Sequence, residues 1–586
     1  MKTVFVLMTM GACMAATITA HAAAGDWKQQ FQQVSDEYFD QVYFPYQPTT
    51  GTATGYHQYD TQLENFSRKN IGAEIDAQKK FEARLLAIQP DNSTANFVPR
   101  SDRQIVLNNI RSRLLSLEVI RSWQKDADNY SSTCANGAFV LMERKFASPD
   151  DRLRSLINRE KQMPTLLAEA QVNLQNPPRV FTEIAIEQLP DIISFFQHDV
   201  PDAFAGAQDP ALKSQFMQSN AAVISALQDY LGWLKSDLLP RSNGDFRIGA
   251  DAFQKKLAYD EMVDIPLDKL LEIGWADLRK NQAHFKQVAA ELDPTKTPDQ
   301  VRQELGEDHP APDQLLATFR ATFDSLVSFI DSHHIVTIPS DVRPVVEETP
   351  PFMRAITQAS MDTPGPYETH STTAYFNVTL PDPKMTPAEV DGYMHSFNVG
   401  TVISTAVHEA YPGHYIQFLW VPQAPSRVRK ILGANTDVEG WAHYCEQMML
   451  DAGYGQPGVG AKDERESKLL RLGQLQDALL RDARFIVGIE MHTGKMSIDE
   501  AVAFLQKEGY QPKETALVET KRGAGDPTYL YYTLGKLEIM KLRSDLQKKQ
   551  GSSFSLQKFH DDFLKQGFPP IPIVRQALLG DNSPAL

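Results

Sequence analysis

One interruption governs what residues 401–447 can become. Apolar side chains approach His408 at helical intervals (Val402, Ile403, Ala406, Val407), and the chain then reads His408-Glu409-Ala410-Tyr411-Pro412-Gly413-His414. Two histidines four apart share one helix face, and with a glutamate beside the first they form the familiar zinc-hydrolase arrangement. Here the second histidine comes six positions on. At about 100° per residue it would point well away from His408, so an unbroken helix excludes His414 as a partner. Pro412 has no N–H for the carbonyl of His408, and Gly413 accepts dihedrals closed to other residues. The sequence therefore predicts a local two-residue bulge in the helix that returns His414 to the face of His408.

The next helical segment carries Glu439, His443 and Glu446, spaced by four and three and so aligned on one stripe. Three ionisable groups beside Trp441, Ala442 and Met449 do not read as a plain solvated face. Glu439 is the expected third ligand, with His443 or Glu446 behind a metal-bound imidazole to orient it. The competing reading is a partly buried salt-bridge helix. Two imidazoles and a carboxylate favour zinc over magnesium, which prefers an all-oxygen site.

At 586 residues, 42% hydrophobic and 23% charged, the chain has the composition of a soluble globular protein. A net charge of −16 would repel phosphate surfaces, which argues against nucleic acid or an anionic membrane as the partner. Lys2, the apolar run 4–16 and Ala20-His21-Ala22 read as an export signal, removed as residues 1–22. That places the mature chain, 23–586, in the periplasm or outside the cell. The alternative is lipoprotein processing at Cys13, which lacks a Leu three positions before it. No other stretch is apolar enough for stable membrane insertion. With Cys13 gone, Cys134 and Cys445 allow one disulfide at most. Cys445 reads as a buried small hydrophobe rather than a ligand.

Helical apolar spacing recurs over 26–43, 70–88, 100–124, 149–174, 178–197, 210–238, 266–292, 298–305, 312–332 and 462–491. None of the segments from 70 to 238 carries a clustered ligand set. There is no internal repeat, low-complexity run or linker-like shift of composition. The expected fold class is mainly α, one large helical body. A small β element precedes the metal-binding helix, since Val345-Val346 and residues 374–380 are β-rich around the turn Pro364-Gly365-Pro366. The strand at 374–380 is placed either beside a bound peptide or in a small structural hairpin. His370 lies just upstream of it, with nothing in the sequence to bring it to the site.

The pattern His408-Glu409-x-x-Pro412-Gly413-His414 with Glu439-Gly440-Trp441-Ala442 resembles the bacterial DUF885 family, grouped with gluzincin-type zinc metallopeptidases. The resemblance extends over most of the mature chain. Thr52-Ala53-Thr54-Gly55 with His57 and Asp60 is similar to the family's N-terminal signature, although His57 itself reads as a structural hydrogen-bonding residue. Arg247, Gly249 and Phe253 match a further step, as does the Arg-bearing segment with Arg481 and Arg484 that closes on His492 before Ser497 and Glu500. Tyr532 matches a Tyr three residues before a Gly, followed by a helix bearing Leu542-Arg543. What the resemblance implies is a peptidase that uses one zinc ion on a peptide substrate, with Tyr532 as a transition-state donor.

The expected mechanism is metal-assisted amide hydrolysis. His408, His414 and Glu439 hold zinc, water takes the open position, and Glu409 moves its proton to the leaving amine. Tyr532 and His492 are the expected oxyanion or substrate contacts, His492 competing with a role as a dipole-favoured helix C-terminal residue. Arg484 or Arg543 would pair with a substrate's terminal carboxylate, the basis for favouring a carboxypeptidase. Acidic residues capturing an amino terminus would instead make an aminopeptidase, and the sequence does not choose. Two other readings stand beside this one: a zinc hydrolase of a small non-peptide amide, and a non-catalytic exported binding protein whose histidine turn is structural.

Overall fold

The computed structural model describes residues 27–350, 354 and 357–586. The leader at 1–22 and Cys13 lie outside them. The chain is mainly α-helical, and the periodic segments become helices such as Trp27–Tyr38, Arg68–Ala87, Phe97–Leu114, Pro210–Trp233 and Leu267–Leu292. The span 149–174, expected as one helix, is two, Pro149–Glu160 and Met163–Asn173. Pro164 sits in the first turn of the second, where its missing N–H leaves no bond unmade. Leu63 and residues 127–238 enclose a core around Tyr130, Phe195, Phe196 and Tyr230. The first helices share another with Val428, Leu432 and Ile573, which ties the two ends of the chain into one body. Cys134 and Cys445 are both free and buried. No helix among the described residues is long and apolar enough to cross a membrane.

The elements that build the site are α1 (Leu267–Leu292), α2 (Leu315–Ser332), strands β1 (Val345–Glu348), β2 (Ala359–Asp362) and β3 (Tyr375–Val378), then α3 (Val399–Glu409) and α4 (His414–Trp420). They continue with α5 (Asn435–Asp451), α6 (Glu464–His492), α7 (Lys513–Gly525) and α8 (Tyr531–Gln550). The sheet order is β1-β3-β2, with β1 parallel and β2 antiparallel to β3. Phe376 on β3 packs against Phe319 and Phe323 of α2, ring centroids 4.9 and 5.0 Å away. The strand expected beside a substrate therefore has both edges occupied. The sheet's outer strands are β1 and β2, and β2 was not marked in the sequence as a strand because Ala359-Ser360-Met361-Asp362 alternates over four residues only and is half-buried throughout.

Two helix crossings depend on glycine pairs. A Cβ added at Gly400 of α3 would lie 2.9 Å from the Cα of Gly473 of α6. At the α5–α8 crossing, a Cβ on Gly440 would lie 2.6 Å from the Gly535 Cα, and one on Gly535 2.0 Å from the Thr436 carbonyl oxygen. The obstacles are backbone atoms, which cannot swing aside. Gly535→Ala is expected to destabilise the fold by about 1–3 kcal/mol, the usual cost of overpacking, read as a lower thermal midpoint. Gly72→Ala is the control: nothing lies within 4 Å of its added Cβ on the Arg68–Ala87 helix, so its midpoint should stay or rise slightly.

Candidate metal centre

The break between the histidines is larger than a bulge. Helix α3 ends at Glu409, Ala410 leaves helical geometry (φ −121°, ψ −71°), and α4 begins afresh at His414. The expectation of a bulge within one helix is corrected to two helices joined by a turn containing a cis Tyr411–Pro412 peptide. The Gly413 N–H donates to Val407 O at 3.0 Å, and Trp441 Nε1 of α5 donates to Pro412 O at 2.9 Å. Gly413 lies so close to His408 that an added Cβ would sit 1.8 Å from the His408 carbonyl oxygen. The turn thus folds His414 back against His408, with ring centroids 4.9 Å apart at an interplanar angle of 87°.

Both imidazoles aim at one atom. His408 Nε2 and His414 Nε2 each lie 3.4 Å from Glu439 Oε2, an oxygen that is buried and has no hydrogen-bond partner. Donors around a tetrahedral zinc, at bond lengths of 2.0–2.1 Å, stand about 3.4 Å apart, so the three residues fit a zinc ion. Burial alone would raise the Glu439 carboxyl, but the two imidazoles hold it well below the usual carboxylate range. His408 behaves conversely: burial pulls it down, yet Glu439 and Glu446 on either side raise it to about 10.

Behind His408 stands Glu446, whose Oε1 accepts from His408 Nδ1 at 2.7 Å and whose Oε2 accepts from His443 Nδ1 at 3.0 Å. Burial would raise Glu446; Arg481 at 3.4 Å and the two histidines hold it low. His443, fully buried, is pushed down to about 3 and is neutral. The two candidates for orienting an imidazole are therefore in series: Glu446 fixes the His408 tautomer, and His443 supports Glu446. Deeper still, Lys536 pairs with Asp277 at 3.0 Å, and Asp482 accepts from Asn281 at 2.7 Å and Thr533 at 3.0 Å.

Glu409, half-buried at the end of α3, accepts from the Met361 N–H of β2 at 3.1 Å. Tyr532 places its ring 6.5 Å from that of His408, inclined by 27°, and its hydroxyl accepts from Arg522 Nη2 at 2.9 Å. Burial and the Glu439 charge raise the Tyr532 phenol, so it keeps its proton. Three expected residues fall elsewhere. His492 bonds Gly523 O at 2.8 Å, packs edge-on against Phe246, and is pushed by burial down to about 4. It sits eight residues beyond Arg484 on α6, about 12 Å along the axis, and is part of the core. Arg543 is eleven residues beyond Tyr532 on α8, about 16 Å, and donates to Tyr444 Oη at 3.1 Å. Arg484 is near the site but engaged by Glu519 through two bonds of 2.6 and 2.7 Å.

The N-terminal signature serves the wall of the site. His57 bridges Asp60 at 3.2 Å and Glu368 at 3.1 Å, and Glu368 receives the backbone N–H of His370 at 2.7 Å. His370 itself is exposed. This clasp holds the loop between β2 and β3 against Ala53 and Thr54. A cavity of about 640 Å³ opens there, lined by Thr54, Pro364, Phe418, Leu419, Val438 and Phe568. It adjoins the cluster through Phe418, whose ring is 6.2 Å from that of His414, and through Val438, the neighbour of Glu439.

Fold and site together define a mainly helical protein with a pre-assembled centre of two histidines and one carboxylate. The chain belongs to DUF885, a family of bacterial proteins of unknown function, which it matches over residues 48–578. No curated protein matches it in sequence. Among solved structures it is similar to “a putative lipoprotein of unknown function from Shewanella oneidensis”, with 26% identity, TM-score 0.77, and 94% of this chain and 99% of that one covered. It also shares its fold with “the putative lipoprotein from Colwellia psychrerythraea”, at 18% identity and TM-score 0.78 over the same shares of the two chains.

In the metal-free protein His408 is an imidazolium between two carboxylates, and a metal must displace its Nε2 proton. Zinc affinity, measured by chelator competition, should therefore rise about tenfold per unit between about pH 6 and pH 8. The sign for stability is opposite. The raised His408 stabilises the metal-free fold fully below 6.5, and that contribution is lost as pH rises through about 10. Glu446→Gln should weaken zinc binding about 10–100-fold, as loss of an outer partner does.

Proposed function

We propose that this chain is an exported zinc-dependent peptidase. The reading rests on the convergence of two histidine Nε2 atoms on a buried Glu439 oxygen that has no donor of its own. A zinc ion held by His408, His414 and Glu439 would supply Lewis acidity, making a water easier to deprotonate and an amide carbonyl easier to attack. Glu409, next to His408 along the chain, is the base. It takes a proton from the attacking water as the O–C bond forms and gives it to the nitrogen as the C–N bond breaks, so that a carboxylate and an amine leave. Tyr532, kept protonated, donates to the carbonyl oxygen as negative charge builds there.

The free edge of β2 supports a peptide as substrate. An extended chain can add to a sheet edge through main-chain hydrogen bonds, and Met361 ties that edge to Glu409. The cavity beside His414 offers an apolar side chain a place to be buried. The two similar structures carry the word lipoprotein in their descriptions. This supports export and keeps lipid attachment at Cys13 as the alternative to cleavage after Ala22. Mass spectrometry of the mature N-terminus separates the two.

Elemental analysis of the purified mature protein is expected to give one zinc per chain. Glu409→Gln should keep the zinc and lose about 10²–10⁴-fold in turnover of a peptide library read by mass spectrometry, whereas His414→Ala should lose the zinc. Near-normal turnover by Glu409→Gln would sink the base assignment. Undiminished zinc in His414→Ala would sink the centre itself.

A further inference from the structure

Three guanidinium groups surround the Tyr532 ring, with Arg481, Arg484 and Arg522 lying 5.6, 5.1 and 5.7 Å from its centroid. Two of them are spent inside the protein. Arg481 is half-buried and paired with Glu446 and Asp477, and Arg484 is locked by Glu519. Arg522 is different. It is exposed near the end of α7, and its guanidinium forms no ion pair among the described residues; one N–H goes to the Tyr532 hydroxyl at 2.9 Å. A planar fork with spare donors is thus left exposed beside the Tyr532 hydroxyl, on the His408–Tyr532 side of the cluster. The apolar cavity lies on the His414 side.

We infer that Arg522 receives the free C-terminal carboxylate of the substrate, which makes the chain a carboxypeptidase acting near the end of a peptide. This rests on the peptidase reading and names its substrate class. A guanidinium pairs two N–H groups with a carboxylate in one plane, and no other charge is present on every peptide at a constant distance from its last bond. The reach is consistent. If the Tyr532 hydroxyl touches the scissile carbonyl oxygen, the guanidinium 2.9 Å from it is within reach of a group one or two residues away along the chain, at about 3.3–3.6 Å per extended residue. A protein of net charge −16 also needs a local cation to hold an anionic chain end. The roles first assigned to Arg484 and Arg543 thus pass to a residue whose donors are still available.

The test uses matched pairs of N-acylated di- and tripeptides, each as the free acid and as the C-terminal amide. The wild type should prefer the acid in kcat/KM by about 10–100-fold, the size of a lost charge-assisted bond, and Arg522→Met should bring the ratio near one while Arg522→Lys keeps part of it. Arg522 is exposed, so an unchanged thermal midpoint for both variants is expected and checks that they fold. Calorimetric titration of zinc-loaded Glu409→Gln with the same pairs should show tighter binding of the acid, lost when Arg522→Met is added. Equal treatment of acid and amide by the wild type overturns the assignment. So does a fall in kcat alike for both with the ratio kept, which would mean that Arg522 only positions Tyr532. Acid-selective binding without hydrolysis would leave the subsite standing and refute the peptidase reading instead.

Discussion

The depth at which helices meet decides whether this site exists. Helix axes usually stand 8–10 Å apart, held off by side chains. Gly400 faces Gly473, and Gly440 faces Gly535, so at both crossings the backbones touch. From the first crossing α3 and α6 run in the same direction: Ser404 lies beside Asp477 one turn on, and His408 neighbours Arg481 after another turn. The second crossing sets Glu439 and Tyr532, each within three residues of a glycine, toward the same point. His408, Glu439, Tyr532 and Arg481 are brought together by the absence of four methyl-sized groups.

Such proximity gathers charge in a place poor in water. Glu446, Lys536, Asp277 and Asp482 have buried side chains, and that of Arg481 is largely covered. Removing each from water costs several kcal/mol, and pairing repays it only where the geometry is good. The arrangement is therefore poorly explained as a device for stability. It is better explained by what it does to His408: Glu446 accepts a hydrogen bond from Nδ1 and leaves Nε2 to face Glu439 and His414. Trp441 does comparable work for His414 by holding the Pro412 carbonyl.

The helical scaffold was legible because amphipathic periodicity is a local property, and it marked most helices to within a few residues. The cluster His408, His414 and Glu439 was legible in its residue types and order, although not in its backbone, since a bulge and a two-helix turn both follow from Pro412-Gly413. Tyr532 and Glu446 were legible as candidates. What failed were assignments resting on a residue type near the right element. His492 and Arg543 sit on the expected helices, but two and three turns too far along. Arg484 lies beside the site and is consumed by Glu519. Arg522 was visible in the chain but not marked as unpaired, because whether an arginine is available depends on which carboxylates the fold puts next to it.

By itself, the sequence determined the helical class of the chain, that no regular helix runs through both histidines, and the donor set that suits zinc. Each follows from short-range chemistry: side-chain period, a missing N–H, and the coordinating atoms of named residues. Only the tertiary structure decided that β2 rather than β3 offers its edge to Glu409, that Glu446 and not His443 touches His408, and which of the arginines is still unspent. Those outcomes depend on contacts between residues tens to hundreds of positions apart, and no local pattern encodes which partners a buried charge will find.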